Sequence, residues 1–206
     1  MTDFILRGRQ TVAGNVATRD VKVGDDGSIA LVDRYQELAL RGKVFSFSVA
    51  AVTLPVNAAT LASKMGLYNP PGSGVFLDVI DVEGHYVVAT TVVNALGLYY
   101  SNGSDATGAT FTTAAVIENA RVGEGVTPNG RAYSAVTHVG TPKLLDIVGG
   151  WGAVTDGGST PVRKSFKGKL LLPPSSLLAV AMTTAAATAS GFTGALRWAE
   201  IPYVAQ

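Results

Sequence analysis

The chain has 206 residues, of which 47% are hydrophobic and only 15% are charged, and its formal net charge is +1. This composition excludes an intrinsically disordered chain, because ample apolar surface is available for burial. The near-neutral charge excludes a strong field that would gather nucleic acid or an anionic membrane. The chain has no cysteine, which excludes disulfides and thiolate sites. A surface so poor in charge favours coverage by other subunits; the alternative is a monomer with a surface rich in Thr, Ser, Asn and Gly.

The first 42 residues are predicted to form an N-terminal extended arm. Turn-forming residues occupy Gly24–Ser28. Apolar residues then recur three and four positions apart over Leu31–Leu40, and Gly42 follows as a stop signal. This pattern predicts either a short helix or a loop that leads into the body. The opening residues do not resemble a signal peptide and no apolar run reaches membrane-spanning length, so we expect assembly in the cytosol and no membrane partner.

The period of the apolar residues changes to two after Gly42, starting with Phe45, Phe47 and Val49. Further runs rich in Val, Ile, Thr and aromatic residues lie at 75–88, 91–100, 109–117, 131–139, 143–148, 166–172, 177–184 and 192–203. About nine strands without an interleaved helix favour an all-β fold, an antiparallel β-sandwich of the jelly-roll kind, over an α/β fold. The predicted domains are therefore the arm at 1–42 and one sandwich at 43–206.

Three ionisable residues share one strand face at Asp81, Glu83 and His85. Two carboxylates and an imidazole are a possible metal-ligand set, but a strand spreads them over about 13 Å, too far for one ion. We therefore favour a solvated strand face and predict no metal site. The apolar alternation slips between Val79 and Val82, which indicates a β-bulge near Ile80.

A basic cluster surrounds Phe166. Its members are Arg163, Lys164, Lys167 and Lys169. Such a cluster can contact nucleic acid or an acidic partner, but lysine on an edge strand more often prevents edge-to-edge aggregation, and we favour that interpretation.

Catalysis finds little support in the sequence. His85 and His138 are the two possible near-neutral general bases, and the chain lacks a Gly-x-Ser-x-Gly nucleophile motif. No spacing of the acidic residues suggests a glycosidase pair. We therefore predict a non-enzymatic protein with no catalytic residues and no cofactor.

Aromatic residues near the end of the chain flank a proline that ends a strand. Trp198 and Tyr203 lie on either side of Pro202, a position typical of residues that close a core or an interface. The alternative is a platform on which sugars stack. Tyr99, Tyr100 and Trp151 are further candidates for such stacking.

Several short motifs, in this order, resemble one group of proteins. They are Asp33-Arg34-Tyr35, Arg41-Gly42-Lys43-Val44-Phe45, Leu67-Tyr68-Asn69-Pro70-Pro71-Gly72-Ser73-Gly74, Leu171-Leu172-Pro173-Pro174 and Arg197-Trp198-Ala199-Glu200-Ile201-Pro202. The chain is similar through them to phage and prophage virion-associated proteins with an LYNPxGSG turn and a WxEIP-like ending, over about residues 33–203. The resemblance implies a jelly-roll domain in a particle, as a homotrimer, and carries over no catalytic residue. Ser175 stands where the LPP turn of that group has glycine.

Two functions remain open at this point. The first is a capsid decoration, or cement, protein of a bacteriophage virion, whose arm and homo-oligomeric contacts with the major capsid protein stabilise the shell. The second is a tail-fibre or receptor-binding domain that recognises host glycans. The expected interface residues are Phe45, Phe47, Tyr68, Trp198 and Tyr203, with the Ala/Thr-rich stretch at 179–189 beside them.

Overall fold

A computed structural model describes residues 6–12, 15–21, 33–57, 61–87, 93–152, 160–184 and 190–202. Contacts divide the chain into two compact units, Met1–Glu37 and Leu38–Gln206. Tyr203, one of the expected interface residues, lies outside the described residues.

The first unit contains an antiparallel hairpin that the sequence pattern did not reveal. Strand β1, Leu6–Val12, pairs along its full length with β2, Asn15–Val21. Helix α1, Arg34–Leu40, begins in this unit, and the Asp33 Oδ1 atom caps it by accepting a 3.2 Å hydrogen bond from the Tyr35 nitrogen. The short helix predicted at Leu31–Leu40 is therefore confirmed, with a later start.

The second unit opens on the end of this helix, where Gly42 has a φ of 67°. The Gly42 nitrogen donates to the Ala39 carbonyl at 2.9 Å, and the Lys43 nitrogen donates to the Leu38 carbonyl at 2.8 Å. These two bonds form a Schellman motif, which needs a left-handed residue at the position of Gly42. The predicted helix stop is confirmed.

Among the described residues, thirteen strands and a one-turn helix build the rest of the second unit. The strands are β3 Val44–Thr53, β4 Ala62–Ser63, β5 Gly66–Asn69, β6 Val75–Tyr86, β7 Asn94–Asn102, β8 Thr110–Ala114, β9 Glu118–Asn119, β10 Arg131–Thr137, β11 Lys143–Trp151, β12 Val162–Ser165, β13 Leu171–Leu172, β14 Ser176–Met182 and β15 Ser190–Pro202. Helix α2, Ser104–Thr107, lies between β7 and β8.

The strands form two antiparallel sheets that pack as a sandwich. One sheet has the order β12-β6-β15-β3-β9, with β13 also on β6; the other has the order β11-β7-β14-β5-β10-β4, with β8 also on β10. The pairs are nested: β3 pairs with β15, β5 with β14, β6 with β12 and β13, and β7 with β11. With β12 and β13 counted as one interrupted strand, these are eight strands paired as in a jelly roll, which confirms the predicted fold. Helix α2 and strands β8 to β10 are an insertion between β7 and β11.

Alternation along the strands places one set of side chains between the sheets. The Trp198 ring stacks on Phe45 at a centroid distance of 5.7 Å and meets Phe47 edge-on at 6.2 Å. Farther along, Tyr86 packs against both Trp151 and Phe192. These aromatic contacts lie in the largest buried cluster of the protein.

The outer face of the β11-to-β4 sheet is also buried. In β14, Leu178 and Val180 belong to the central cluster, whereas Leu177 and Ala179 belong to two separate clusters on the opposite face. Side chains of the insertion, among them Ala106 of α2 and Phe111 of β8, pack against this outer face. Strand β14 is therefore buried on both sides.

The predicted bulge is confirmed at Ile80. In the pairing of β6 with β15, Asp81 lies opposite Arg197 but Val79 lies opposite Trp198, so Ile80 is the extra residue. The predicted strand at 166–172 is wrong over its first part. Lys167 and Gly168 have φ values of 39° and 85° and make a tight turn between β12 and β13.

Candidate functional site

Four of the five motifs of the virion-protein resemblance meet in two pairs. The Glu200 nitrogen donates to the Lys43 carbonyl at 2.8 Å, which joins the WxEIP segment to the segment before β3. The Asn69 Nδ2 atom donates to the Leu172 carbonyl at 2.9 Å, which joins the turn after β5 to the LPP turn. The four segments therefore share a structural role, because they hold the ends of neighbouring strands together.

A carboxylate anchors the loop before β10 at this place. Glu200 is buried, and its Oε1 accepts a 2.8 Å hydrogen bond from the Gly130 nitrogen while its Oε2 accepts one of 2.9 Å from Asn129 Nδ2. Gly130 lies against the core, since a Cβ there would approach a Leu77 methyl to 2.9 Å. Glycine is thus needed here because the main chain lies close to the Leu77 side chain. A positive φ is not the reason, because Gly130 does not have one.

A groove of the described surface lies beside this loop. It has a volume of about 510 Å³ and is lined by Pro70–Ser73 on one side and Thr127–Tyr133 on the other. Proline, alanine and main-chain atoms make up most of its wall, with Arg131 and Tyr133 as the larger polar side chains. Such a groove suits packing against an apolar segment better than chemistry on a small molecule.

Four expected interface residues belong to the protein's own interior. Phe45, Phe47 and Trp198 lie in the central core, and Tyr68 packs on Phe111 in an outer-face cluster. Their side chains contact this chain, so they are core residues rather than an interaction surface. The physical reason is strand alternation: Phe45 and Phe47 point inward, whereas Ser48 of the same strand points outward and is exposed.

The stretch at 179–189 was expected to form a self-association surface, and this expectation is wrong for residues 179–182. Ala179 to Met182 is fully buried in β14, between the core and the outer-face layer. Residues 185–189 lie outside the described residues.

Charged residues on β6 form an ion-pair network with two arginines. Asp81 is buried, and its carboxylate accepts hydrogen bonds from Arg197 at 2.8 Å and Arg163 at 2.6 Å. Arg197 also binds Glu83 at 3.0 Å. The carboxylate of Asp81 raises the pKa of Arg163. The strand face is thus neither a metal-ligand set nor freely solvated, because its two carboxylates bind guanidinium groups.

Two members of the basic cluster, Arg163 and Lys164, lie on an edge strand, whereas Lys167 and Lys169 lie in the turn that follows it. Strand β12 is the end strand of its sheet. Lys164 Nζ binds Asp146 Oδ1 at 2.7 Å and lowers the pKa of that carboxyl. Arg163 is engaged by Asp81. These contacts, together with the edge position, support a role in protecting the edge.

His138 is the one predicted candidate base with a serine neighbour among the described residues. Its Nδ1 lies 3.0 Å from the Ser101 Oγ, and both residues are buried. Burial lowers the pKa of His138 to about 4. A serine–histidine pair at this distance has the spacing of a nucleophile and its base. Neither residue lines the groove beside β10 or three further grooves of the described surface. His85 lies on β6 beside the ion-pair network.

The aromatic residues considered for sugar stacking are not available as exposed platforms. Tyr99 is buried in an outer-face cluster, and Trp151 is buried in the core with its Nε1 donating to the Thr160 carbonyl at 2.7 Å. Tyr100 is partly buried against the same core. Tyr99 and Trp151 are therefore core residues, whereas Tyr100 stays partly exposed and Tyr203 lies outside the described residues.

Exposed apolar side chains appear at the β11 edge, where the sequence analysis had marked only a strand. They belong to Leu144, Leu145 and Ile147 of β11 and Leu171 of β13. The signal in the sequence was the adjacent pair Leu144-Leu145, since two neighbouring leucines cannot both face the core of a regular strand. A register shift between Leu144 and Asp146 accommodates the pair.

The described part of the chain contains no cluster of three metal-ligating side chains. No described helix is long and apolar enough to cross a membrane. Comparisons of the chain with protein-family models, with curated proteins and with solved structures find no match.

Proposed function

We propose that this chain is a structural protein of a phage-like particle, a non-enzymatic capsid decoration protein that works as a homo-oligomer on the shell. The observation that carries the proposal is the two-unit architecture: a jelly-roll body follows a separate unit with its own hairpin. A two-stranded hairpin is marginally stable alone, and β1 and β2 pair with no other described strand. Such a unit gains stability when it binds a neighbouring molecule.

The body also suits a scaffolding role. Its potentially reactive groups are held in structural contacts: Glu200 anchors a loop, and Asp81 binds two arginines. The motifs of the virion-protein resemblance connect strand ends and form no reaction centre. With 15% charged residues, the chain has a surface suited to contacts with further subunits, including the major capsid protein.

The first experiment determines whether the protein is part of phage particles and where on the particle it lies. Particles are induced from cells that carry the coding sequence and from cells in which it is deleted, and both are imaged at subunit resolution. We expect density for the jelly roll on the outside of the head, in many copies, that the deletion removes. Density at the tail tip would support the receptor-binding alternative instead, and particles without the protein would refute a structural role.

A second experiment tests the arm. Removal of residues 1–30 leaves α1 and the whole body in place. We expect the shortened protein to keep its circular dichroism and oligomeric mass but to lose cosedimentation with shells that lack the protein. Undiminished binding would exclude the arm as the shell-binding element.

A further inference from the structure

The two sheets leave a depression between them at the edge where β11 of one sheet lies near β13 of the other. It has a volume of about 210 Å³, and Leu145 of β11 and Leu171 of β13 both line it. Immediately after Leu145 the same edge is closed, because Lys164 of β12 binds Asp146 of β11 with its Nζ atom 2.7 Å from Oδ1. The depression therefore lies beside a point where an ion pair joins the two sheets.

The depression extends from solvent to the central core. Leu145 and Leu171 are 43% and 45% exposed, whereas Leu172 and Leu178, which also line it, are buried core residues. None of its described lining residues is charged. An apolar group that enters the depression exchanges water for contact with the core, which is the driving force for burying an apolar side chain.

The volume of the depression limits the kind of group that fits. Pockets for whole small molecules usually measure about 300–1,000 Å³. An apolar cavity of about 150 Å³ holds one benzene molecule. At about 210 Å³, the depression suits a single large apolar side chain, such as leucine or phenylalanine, better than a complete small molecule or an acyl chain.

Two exposed lysines flank the depression, one on the side of each sheet. Lys143 of β11 pairs directly with Tyr100, a lining residue, and paired residues lie on the same face of a sheet. Lys169 directly precedes Leu170, another lining residue, in the turn that leads into β13. Neither lysine forms an ion pair with a described carboxylate. The surroundings of the depression are therefore positively charged.

These lysines indicate the charge of the partner. Two copies that docked through this same edge would bring like charges together, which is unfavourable at an interface. An acidic segment is complementary to the edge, because its carboxylates pair with the lysines while an apolar side chain fills the depression between them.

We propose that the depression binds an acidic segment of another protein, which inserts one leucine or phenylalanine side chain between the sheets and pairs its carboxylates with Lys143 and Lys169. The apolar anchor supplies most of the affinity, and the lysines attract and orient the segment. The site depends only on the geometry of this chain. The assignment of the partner to a neighbouring protein of the particle rests on the proposed function.

The experiment titrates the full chain, labelled at its leucine methyl groups, with a synthetic heptapeptide in which phenylalanine is flanked on each side by three acidic residues. We expect millimolar peptide to shift the NMR signals of Leu145 and Leu171, with weaker binding in high salt. Leu144, which lies opposite the outer-face residue Tyr99, is the control signal and should not shift. A peptide with alanine in place of phenylalanine should bind about tenfold or more weakly.

Charge reversal tests the two lysines with little risk to the fold, since both are exposed. We expect the double variant Lys143→Glu/Lys169→Glu to weaken binding of the phenylalanine peptide by about tenfold or more. Lys43→Glu is the matched control for each single reversal, because Lys43 is exposed and precedes β3, which β15 and β6 separate from β13. Binding that the double variant and Lys43→Glu reduce equally would overturn the proposal.

Three further results would also overturn it. The first is the absence of any shift with the phenylalanine peptide, and the second is equal binding of the alanine peptide. The third is a different occupant: sodium octanoate that shifts these signals when the peptide does not, or shifts that appear when the protein alone is concentrated and so indicate a second copy. All these measurements use the isolated protein, so their failure is distinct from a failure of the particle imaging that tests the proposed function.

Discussion

The Glu200 carboxylate accepts a 2.8 Å hydrogen bond from the main-chain nitrogen of Gly130, so the last strand of one sheet fixes the loop that leads into β10 of the other. The second oxygen accepts from Asn129 Nδ2. Both bonds involve a buried charged acceptor, which makes each of them worth more than a neutral hydrogen bond.

Loss of this carboxylate should loosen the loop. We expect Glu200→Ala to lower the free energy of unfolding by about 3 kcal/mol, because the Gly130 nitrogen loses its acceptor in a buried place. Glu200→Gln keeps an acceptor for Gly130 and should cost about half as much. Urea unfolding measures both, with Asn129→Ala as the variant that removes one bond alone. Equal losses for all three variants would contradict the dominant role of the Gly130 bond.

Two glycines opposite each other on β6 and β15 accommodate the ring of Phe192. Gly84 pairs with Gly194; a Cβ at Gly84 would overlap the Phe192 ring, and one at Gly194 would lie 2.7 Å from it. We expect Gly84→Ala to cost about 2 kcal/mol by overpacking. Gly125→Ala, with no atom within 4 Å of the new Cβ, should change stability by less than about 1 kcal/mol.

The same pair of glycines permits a coupling test. In a Phe192→Leu background the ring is absent, so Gly84→Ala should cost less than it does in the wild type. Thermal unfolding of the four proteins gives the coupling free energy. A fully additive result would show that the clash with Phe192 is not the cause.

His138 should make the protein less stable in acid. Its folded-state pKa of about 4 lies below the ordinary histidine pKa of 6.5, so the unfolded state binds the proton more strongly. Stability is therefore full above pH 6.5, falls as the pH decreases through this window, and has lost about 3 kcal/mol from this group by pH 4. Chemical unfolding from pH 7 to pH 4 should show a shallower loss for His138→Gln. If the free energy of unfolding of His138→Gln falls with pH as steeply as that of the wild type, groups other than His138 cause the acid sensitivity.

The two carboxylates of the β6 network should differ sharply in importance. Asp81 is buried and binds both Arg163 and Arg197, and in Asp81→Ala the two arginines keep Glu83 as a partner. We expect a loss of about 2 kcal/mol for Asp81→Ala, because two hydrogen bonds to a buried carboxylate are removed. Glu83→Ala removes a partly exposed ion pair and should cost less than about 1 kcal/mol. Denaturant titration compares them, and a larger loss for Glu83→Ala would refute this ranking.

Sequence patterns predicted correctly those features that depend on a single strand or helix. The break in apolar alternation located the bulge at Ile80, and Gly42 located the end of α1. Ser175 shows how far a resemblance extends: its φ of 63° is a conformation that favours glycine, so the turn keeps the shape expected with glycine despite the different residue. The main-chain contacts of this turn, such as the Ser175 nitrogen with the Asn69 carbonyl at 2.8 Å, hold it in place.

The choice between core and interface could not be read from single strands. Phe45 and Phe47 follow the alternation of a one-sided strand, and that pattern is the same whether the apolar side faces a second sheet or another subunit. Strand β14 is buried on its outer face because residues distant in sequence cover it: the insertion packs on Leu177, and Leu61 and Tyr99 pack on Ala179 and Ala181. The exposure of Leu144 and Leu145 likewise depends on the position of β11 at the edge of its sheet, which the sequence of that strand does not show.

The position of β15 between β3 and β6, and of β14 between β5 and β7, has a consequence for biosynthesis. The early strands of each sheet are separated by a gap that residues 176–202 must fill. A nascent chain on the ribosome therefore holds strands with unpaired edges until this stretch has been translated, and the body completes its fold late. Pairing between strands so distant in sequence is slow, which leaves that period open to chaperones and to premature contacts between growing chains.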